Sequence, residues 1–249
     1  DIASCDWVIE VVVERLDIKQ LIFEQVEKFR KPGTLITSNT SGIPISMMAE
    51  GRSDDFKKHF CGTHFFNPPR YLRLLEIIPT KYTDQSVVDF LMNYGDLYLG
   101  KTTVLCKDTP AFIANRVGVF SMMSVLHIME KLELSIDEIE SITGPLMGRP
   151  KSATFRTADV VGIDTLVKVA KGVADNCPND EAKATFTLPS WLEKMVEQNW
   201  LGDKTGQVFF NKIILTNNGF FYRFSLIHRW LTFPTIGGSV SQEYTTTNF

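Results

Sequence analysis

Trp7-Val8-Ile9-Glu10-Val11-Val12-Val13 is followed by Ile18, Leu21, Ile22, Val26 and Phe29 at helical spacing, and then by Leu35-Ile36-Thr37. The first run is β-branched and nearly all apolar, the pattern of a strand buried on both faces of a parallel sheet. Lys31-Pro32-Gly33 stops the helix, and the chain re-enters the sheet alongside itself, as a right-handed crossover requires. Outward from this unit the alternation continues. Phe60 to Phe66 and Leu74 to Ile78 read as strands, a helix runs from about Asp84 to Leu97, and Thr102–Cys106 is a further strand. Strands alternating with helices predict an α/β layer architecture built on a parallel sheet.

The texture changes at Lys107-Asp108-Thr109-Pro110. From Ala111 to Leu132 the apolar residues recur with helical period, and Ser135…Glu138 forms a capping box that opens another helix. Asp164 to Val173 and Trp191 to Gln198 add two more, with no strand pattern between them. The reading is an α/β part over residues 1–108, an all-helical domain over 109–212 and an unassigned tail over 213–249. The tail is rich in aromatics without a steady period, and Arg223, His228 and Arg229 interrupt it too often for a membrane helix.

Composition narrows the class of function. Across 249 residues, 44% are hydrophobic and 22% charged, which excludes a disordered chain. A formal charge of −3 with no Lys/Arg block gives no footprint for nucleic acid or for an anionic membrane surface. No stretch reaches the ~20 apolar residues of a membrane span, and no basic n-region precedes an apolar core as in a signal peptide. Cys5, Cys61, Cys106 and Cys177 are scattered, without metal-ligand spacing, and read as reduced, mostly buried thiols of a cytoplasmic protein.

Four stretches carry chemistry. In Gly62-Thr63-His64-Phe65-Phe66-Asn67-Pro68-Pro69 a lone histidine ends a strand, either as a hydrogen-bonded core residue or as a base. In Leu74-Leu75-Glu76-Ile77-Ile78-Pro79 an acidic residue interrupts a buried strand, where it is costly unless paired. One explanation covers both: the strands are joined by the loop Asn67–Arg73, and Glu76 holds His64. A carboxylate on one imidazole nitrogen fixes the tautomer and makes the other nitrogen a general base. Ser38-Asn39-Thr40-Ser41-Gly42 follows a parallel strand at the end where open α/β sheets place ligands, or is an ordinary polar turn. Asn115 lies early in an apolar helix, where its amide needs a partner, in a neighbouring loop or in a ligand.

Together these stretches resemble the 3-hydroxyacyl-CoA dehydrogenase family of fatty-acid β-oxidation over roughly residues 1 to 210. Met147-Gly148-Arg149-Pro150 and Asp159-Val160-Val161-Gly162-Ile163-Asp164 are similar to a family signature, although Arg149 intervenes before the proline. Asn67-Pro68-Pro69-Arg70-Tyr71 and the run from Arg149 to Arg156 resemble the dehydrogenase part of long bacterial multifunctional proteins. The resemblance implies a partial Rossmann-type NAD-binding domain followed by a helical domain for substrate and dimerisation. It implies that His64 is the base, Glu76 its orienting partner, and Ser41 and Asn115 the groups on the substrate oxygen. It places Glu14, Lys19, Ser41, Asn67 and Lys204 against NAD, with Lys19 also near coenzyme A. The implied reaction is oxidation of an L-3-hydroxyacyl-CoA to a 3-oxoacyl-CoA by a homodimer, with no metal. The other readings are a non-catalytic relative serving a structural or interaction role on the same scaffold, and a sugar-acid dehydrogenase with a similar helical second domain, in which the stretch His64-Phe65-Phe66-Asn67-Pro68 has no place.

Two departures are visible. The sequence contains no strand–GxGxxG–helix unit, which in the family precedes the equivalent of Asp1 and cradles the pyrophosphate. The expectation is a chain cut at its amino end, with a bare apolar sheet edge, weak NAD binding and poor folding. After Gly206, Gln207-Val208-Phe209-Phe210 lacks the family's second glycine, and residues beyond Lys212 match nothing in it.

Overall fold

The computed structural model describes residues 2–206, 209–214 and 221–225. The chain forms two compact units, one of Asp1–Leu132 with Asp164–Glu193, the other of Glu133–Ile163 with the chain from Lys194 onward.

The first unit is built on a five-stranded sheet of β1 (Trp7–Glu10), β2 (Leu35–Ser38), β3 (Phe60–Phe65), β4 (Leu74–Pro79) and β5 (Thr102–Leu105), in that spatial order. Between β1 and β2 runs α1 (Leu16–Phe29), which turns Lys19, Phe23 and Val26 inward at the spacing of one helix face. After β2 come two short helices, α2 (Ile45–Ala49) and α3 (Asp54–Lys58), in a stretch to which the sequence reading assigns no element. Each spans little more than one turn, too short to show a 3.6-residue period. The longer α4 (Gln85–Leu97) precedes β5.

The α/β architecture is as expected, with two differences of detail. Strand β3 pairs antiparallel with β4, whereas every other neighbouring pair is parallel. No helix lies between β3 and β4, and a parallel return needs a crossover of a dozen or more residues; a short loop allows only a hairpin. Strand β1 is also shorter and less buried than its β-branched run promised. It stands at the edge of the sheet, so Ile9 is 42% exposed and Val11, just past its end, 70%.

Each face of the sheet carries its own core. Phe23, Met48, Ile45 and Phe56 of α1–α3 pack on Ile36, Phe60 and Ile78. Val87, Val88 and Leu91 of α4 pack on Leu35, Cys61, Leu75 and Ile77. Burying a Phe or Ile side chain contributes about 1.5–3 kcal/mol, so these two layers fix the strands on which the polar groups stand. Gly62 is required here: a Cβ on it would lie 2.7 Å from Ile45 Cδ1 and 3.0 Å from Ile78 Cβ, so its absence lets α2 close onto β3.

The same unit includes α5 (Ala114–Leu132), longer than any other helix among the described residues. In the second unit, α6 (Ile136–Ile142) begins with the capping box read from the sequence, with both of its hydrogen bonds present. The second unit continues with α7 (Phe155–Val161), for which the sequence reading gives no helix, whereas α8 (Ile163–Asn176) belongs to the first unit from Asp164 on and α9 (Ser190–Glu197) passes from the first unit to the second after Glu193. Within the second unit, buried Asp159 accepts a hydrogen bond from the Phe209 amide at 2.8 Å, and Arg156 pairs with Asp203. An antiparallel pair follows, β6 (Phe210–Ile214), which begins at the end of the stretch read as helical and runs into the tail, and β7 (Phe221–Ser225), which lies in the tail to which the sequence assigned no structure. The remaining residues of the tail lie outside the described ones.

Candidate active site

His64 on β3 and Glu76 on β4 stand directly opposite each other in the antiparallel register. Side chains opposite one another in such a pair project to the same face, and here the imidazole Nδ1 lies 2.7 Å from Glu76 Oε2. Both groups are buried, Glu76 completely and His64 to 4% exposure. The second carboxylate oxygen is also occupied: Oε1 accepts from the backbone amides of Ile113, at 3.0 Å, and Ala114, at 2.8 Å. Burial pushes the Glu76 carboxyl upward, but the bonds from His64, Ala114 and Ile113 outweigh it and hold the group below the ordinary carboxylate range. Glu76 is therefore an anion, and an anion on Nδ1 leaves the proton there and the lone pair on Nε2. The rings of Phe66 and Phe112 flank the imidazole, at 4.4 and 5.6 Å between centroids. Beside the pair, burial and the Glu76 charge push the Cys106 thiol up to about 12, which keeps it neutral.

The carboxyl end of β1 carries a second polar cluster. Glu10, 3% exposed, accepts from Lys19 Nζ at 2.8 and 2.9 Å, from Ser38 Oγ at 2.5 Å and from the Val12 amide at 2.6 Å. Lys19 itself is 1% exposed and reaches Glu14 Oε2 at 3.4 Å. Glu14 Oε1 gathers the loop after β2, accepting from Thr40 Oγ1 at 2.6 Å and from the amides of Ser41 and Gly42 at 2.9 Å each. Burial raises the Glu14 carboxyl, but the bonds from Thr40, Gly42 and Ser41 and the Lys19 charge more than offset it and lower its pKa.

Of the residues singled out in the sequence, the structure thus joins His64 to Glu76 and links Glu14, Lys19 and the backbone of Ser41. Asn115 is half-buried in the first turn of α5, immediately after the two amides that Glu76 holds. Asn67 is exposed at the start of the β3–β4 loop, whose carbonyls at Pro69 and Leu72 are held by the buried Lys101 ammonium. Lys204 is exposed in the second unit, in the turn Asp203–Thr205. The sequence reading missed Glu10, Thr40 and Asp108. Glu10 gave the same signal as Glu76, a carboxylate inside an apolar run. Asp108, whose carboxylate accepts the amides of Ile45 and Ser46 at 2.8 Å each, gave none, because its partners are 63 and 62 residues away.

These groups lie on the loops that leave the carboxyl ends of β1, β2 and β3, the edge at which open α/β sheets bind dinucleotides. The groups exposed there are the Ser41 hydroxyl and the Asn67 carboxamide, neutral donors and acceptors that suit ribose hydroxyls and a nicotinamide amide, while Glu14 and Asn39, which accepts the Phe65 amide at 2.8 Å, hold the loop that presents them. The residues present fit that half of the cofactor. Among the described residues no three His, Cys, Asp or Glu side chains converge as a metal site, and no helix is long and apolar enough to cross a membrane. All four cysteines are free, two buried and two half-buried, fewer buried than the sequence reading expected.

Residues 1–109 match the 3-hydroxyacyl-CoA dehydrogenase NAD binding domain, and residues 112–212 match the C-terminal domain of the same family. A probable 3-hydroxyacyl-CoA dehydrogenase of Caenorhabditis elegans is 34% identical over 210 residues, covering 84% of this chain and 68% of the relative. The chain belongs to the 3-hydroxyacyl-CoA dehydrogenase family. A second relative, a probable 3-hydroxyacyl-CoA dehydrogenase of Bacillus subtilis, is 54% identical over 209 residues, 84% of this chain. The chain spans only 26% of that relative's length. Among solved structures, (S)-3-hydroxybutyryl-CoA dehydrogenase from Ralstonia eutropha superposes with a TM-score of 0.75 at 27% identity. That match covers 83% of this chain and 70% of the other.

Proposed function

We propose that the site performs NAD-dependent oxidation of an L-3-hydroxyacyl-CoA to a 3-oxoacyl-CoA, a step of fatty-acid β-oxidation. The observation that carries this reading is the buried His64–Glu76 pair, 2.7 Å apart, with the other Glu76 oxygen saturated by two backbone amides. With Nδ1 committed to Glu76, Nε2 of His64 takes the proton from the substrate hydroxyl as its O–H bond breaks. The imidazolium so formed lies against an anion already stripped of water, where the attraction is stronger than in bulk solvent. Ser41 and Asn115 hold the substrate oxygen as it becomes a carbonyl, and Phe66 and Phe112 confine the ring so that Nε2 keeps its aim. When bound, NAD supplies the acceptor for the hydride that leaves the same carbon. Glu14, Ser41 and Asn67 are the groups assigned to hold it; the roles of Lys19 and Lys204 rest on the resemblance alone.

Similarity to 3-hydroxyacyl-CoA dehydrogenases supports an acyl-CoA substrate, and similarity to the (S)-3-hydroxybutyryl-CoA dehydrogenase of Ralstonia eutropha supports the S configuration at the hydroxyl carbon. Four free thiols support a reducing, cytoplasmic setting. Exposed Leu146, Met147, Val160 and Val161 support self-association through the helical domain proposed over 109–212. The test is His64→Gln in the full-length protein, followed by NADH formation from 3-hydroxybutyryl-CoA. Loss of a general base lowers turnover by roughly 10²- to 10⁴-fold; turnover near the parent rate would end the assignment.

A further inference from the structure

Between β5 and α5 the chain runs through Asp108-Thr109-Pro110-Ala111-Phe112-Ile113, and it is pinned at both ends by carboxylates. At the first end, Asp108 Oδ1 and Oδ2 accept the amides of Ile45 and Ser46, each at 2.8 Å. At the other, Ile113 and Ala114 donate to Glu76 Oε1. The segment between them is strained. Ala111 and Phe112 have φ of 62° and 49°, in the left-handed region where Cβ crowds the following carbonyl oxygen and which non-glycine residues rarely adopt. Two consecutive residues in that region persist only where their surroundings hold them there.

What the strain places is informative. Phe112 is 3% exposed, and its ring lies 5.6 Å from that of His64. Asn115 follows three residues later. Asp108 also reaches across to the other side of the site: Ile45 and Ser46 follow the Ser41 loop, whose opposite end is held by Glu14. One hydrogen-bonded belt therefore runs from Glu14 through the Ser41 loop to Asp108, then through the strained segment to Glu76 and His64.

We propose that Asp108 is a positioning residue, which sets Ser41 and Asn115 in register with His64 by holding the strained connection on the end of the Ser41 loop. It touches neither substrate nor cofactor, and the proposal rests on the function assigned above. A cap serving only α2 would have no effect beyond Ile45 and Ser46. A positioning residue has one: without Asp108 the connection relaxes from its left-handed conformation, and Phe112, Ile113 and Ala114 shift with it.

The test compares Asp108→Ala with Asp108→Asn in the full-length protein. Asparagine keeps one acceptor and a similar volume, so it folds where alanine does not. Hydrogen exchange is read at the amides of Ile45, Ser46, Ile113 and Ala114, beside kcat and KM. The expected result is lost protection at all four amides, including the two that Asp108 does not bond. The expected kcat falls by roughly 100-fold, the effect of a misplacement on the order of 1 Å, with little change in KM for the cofactor. Unchanged protection at Ile113 and Ala114, or an unchanged kcat, overturns the proposal. A parent protein without turnover would count against the proposed function instead, while the exchange result would still decide the coupling.

Discussion

Replacing Glu76 separates its two duties, because alanine removes both oxygens whereas glutamine removes the charge and keeps one acceptor. In Glu76→Ala the part-buried amides of Ile113 and Ala114 lose their partner. This variant loses the charge-assisted bond to His64, about 1.5–3 kcal/mol, and both amide bonds besides, so it is the less stable of the two. Glu76→Gln turns its carbonyl oxygen to the two amides and its NH₂ to His64, and forfeits only the charge-assisted bond, about 1.5–3 kcal/mol. For catalysis the glutamine is no better. Its NH₂ donates to Nδ1, moves the imidazole proton to Nε2 and removes the lone pair that takes the substrate proton. A wrong tautomer of this kind lowers turnover on the order of 10⁴-fold in a related acid–base arrangement. The assays are urea unfolding and steady-state NADH formation. Turnover of the glutamine variant close to the parent's would refute the reasoning, as would equal stability of the two variants. The charge also predicts a pH effect. The folded pKa of Glu76 lies below its unfolded value near 4.5. Its contribution to stability is then complete above that value and is lost as pH falls through the folded pKa. The parent loses stability over that acid range more steeply than Glu76→Gln does.

Two other changes have defined outcomes. Lys19→Met strands Glu10 as a buried anion and costs about 3–5 kcal/mol, whereas adding Glu10→Gln recovers much of it; a single variant with an unchanged urea midpoint would show that the buried pair adds nothing. Gly202→Ala places a Cβ 2.3 Å from the Asp159 carbonyl oxygen at a φ of 94°, and strain with overpacking costs about 2–6 kcal/mol. Its thermal unfolding shifts to lower temperature, and a parent-like transition would contradict the packing described for the second unit.

The legible parts of this chain were those with local or periodic signals. The strand–helix–strand unit from Trp7 to Thr37 announced itself through the change from a β-branched run to helical spacing. His64 and Glu76 could be paired because only a short loop separates their strands. The helices α2 and α3 could not be seen, since five residues carry no period. The antiparallel turn of β4 was implied by the same short loop but was read as part of a parallel series. Lys19 has the look of a solvated charge near a helix start, and only the fold shows Glu10 beneath it. The carboxylate clamps were illegible for a different reason. Asp108 and Glu76 bind backbone amides 37 to 63 residues away, and a backbone amide is the same whatever its side chain.

The central claim is that His64 is held by an anionic Glu76 with its proton on Nδ1 and its lone pair on Nε2. Nitrogen-15 NMR of the histidine ring in the folded protein, at a pH where the imidazole is neutral, reads that tautomer directly. The account predicts a protonated Nδ1 and a bare Nε2 for His64, with the pattern reversed or mixed in Glu76→Gln. A proton on Nε2 in the parent protein would contradict it.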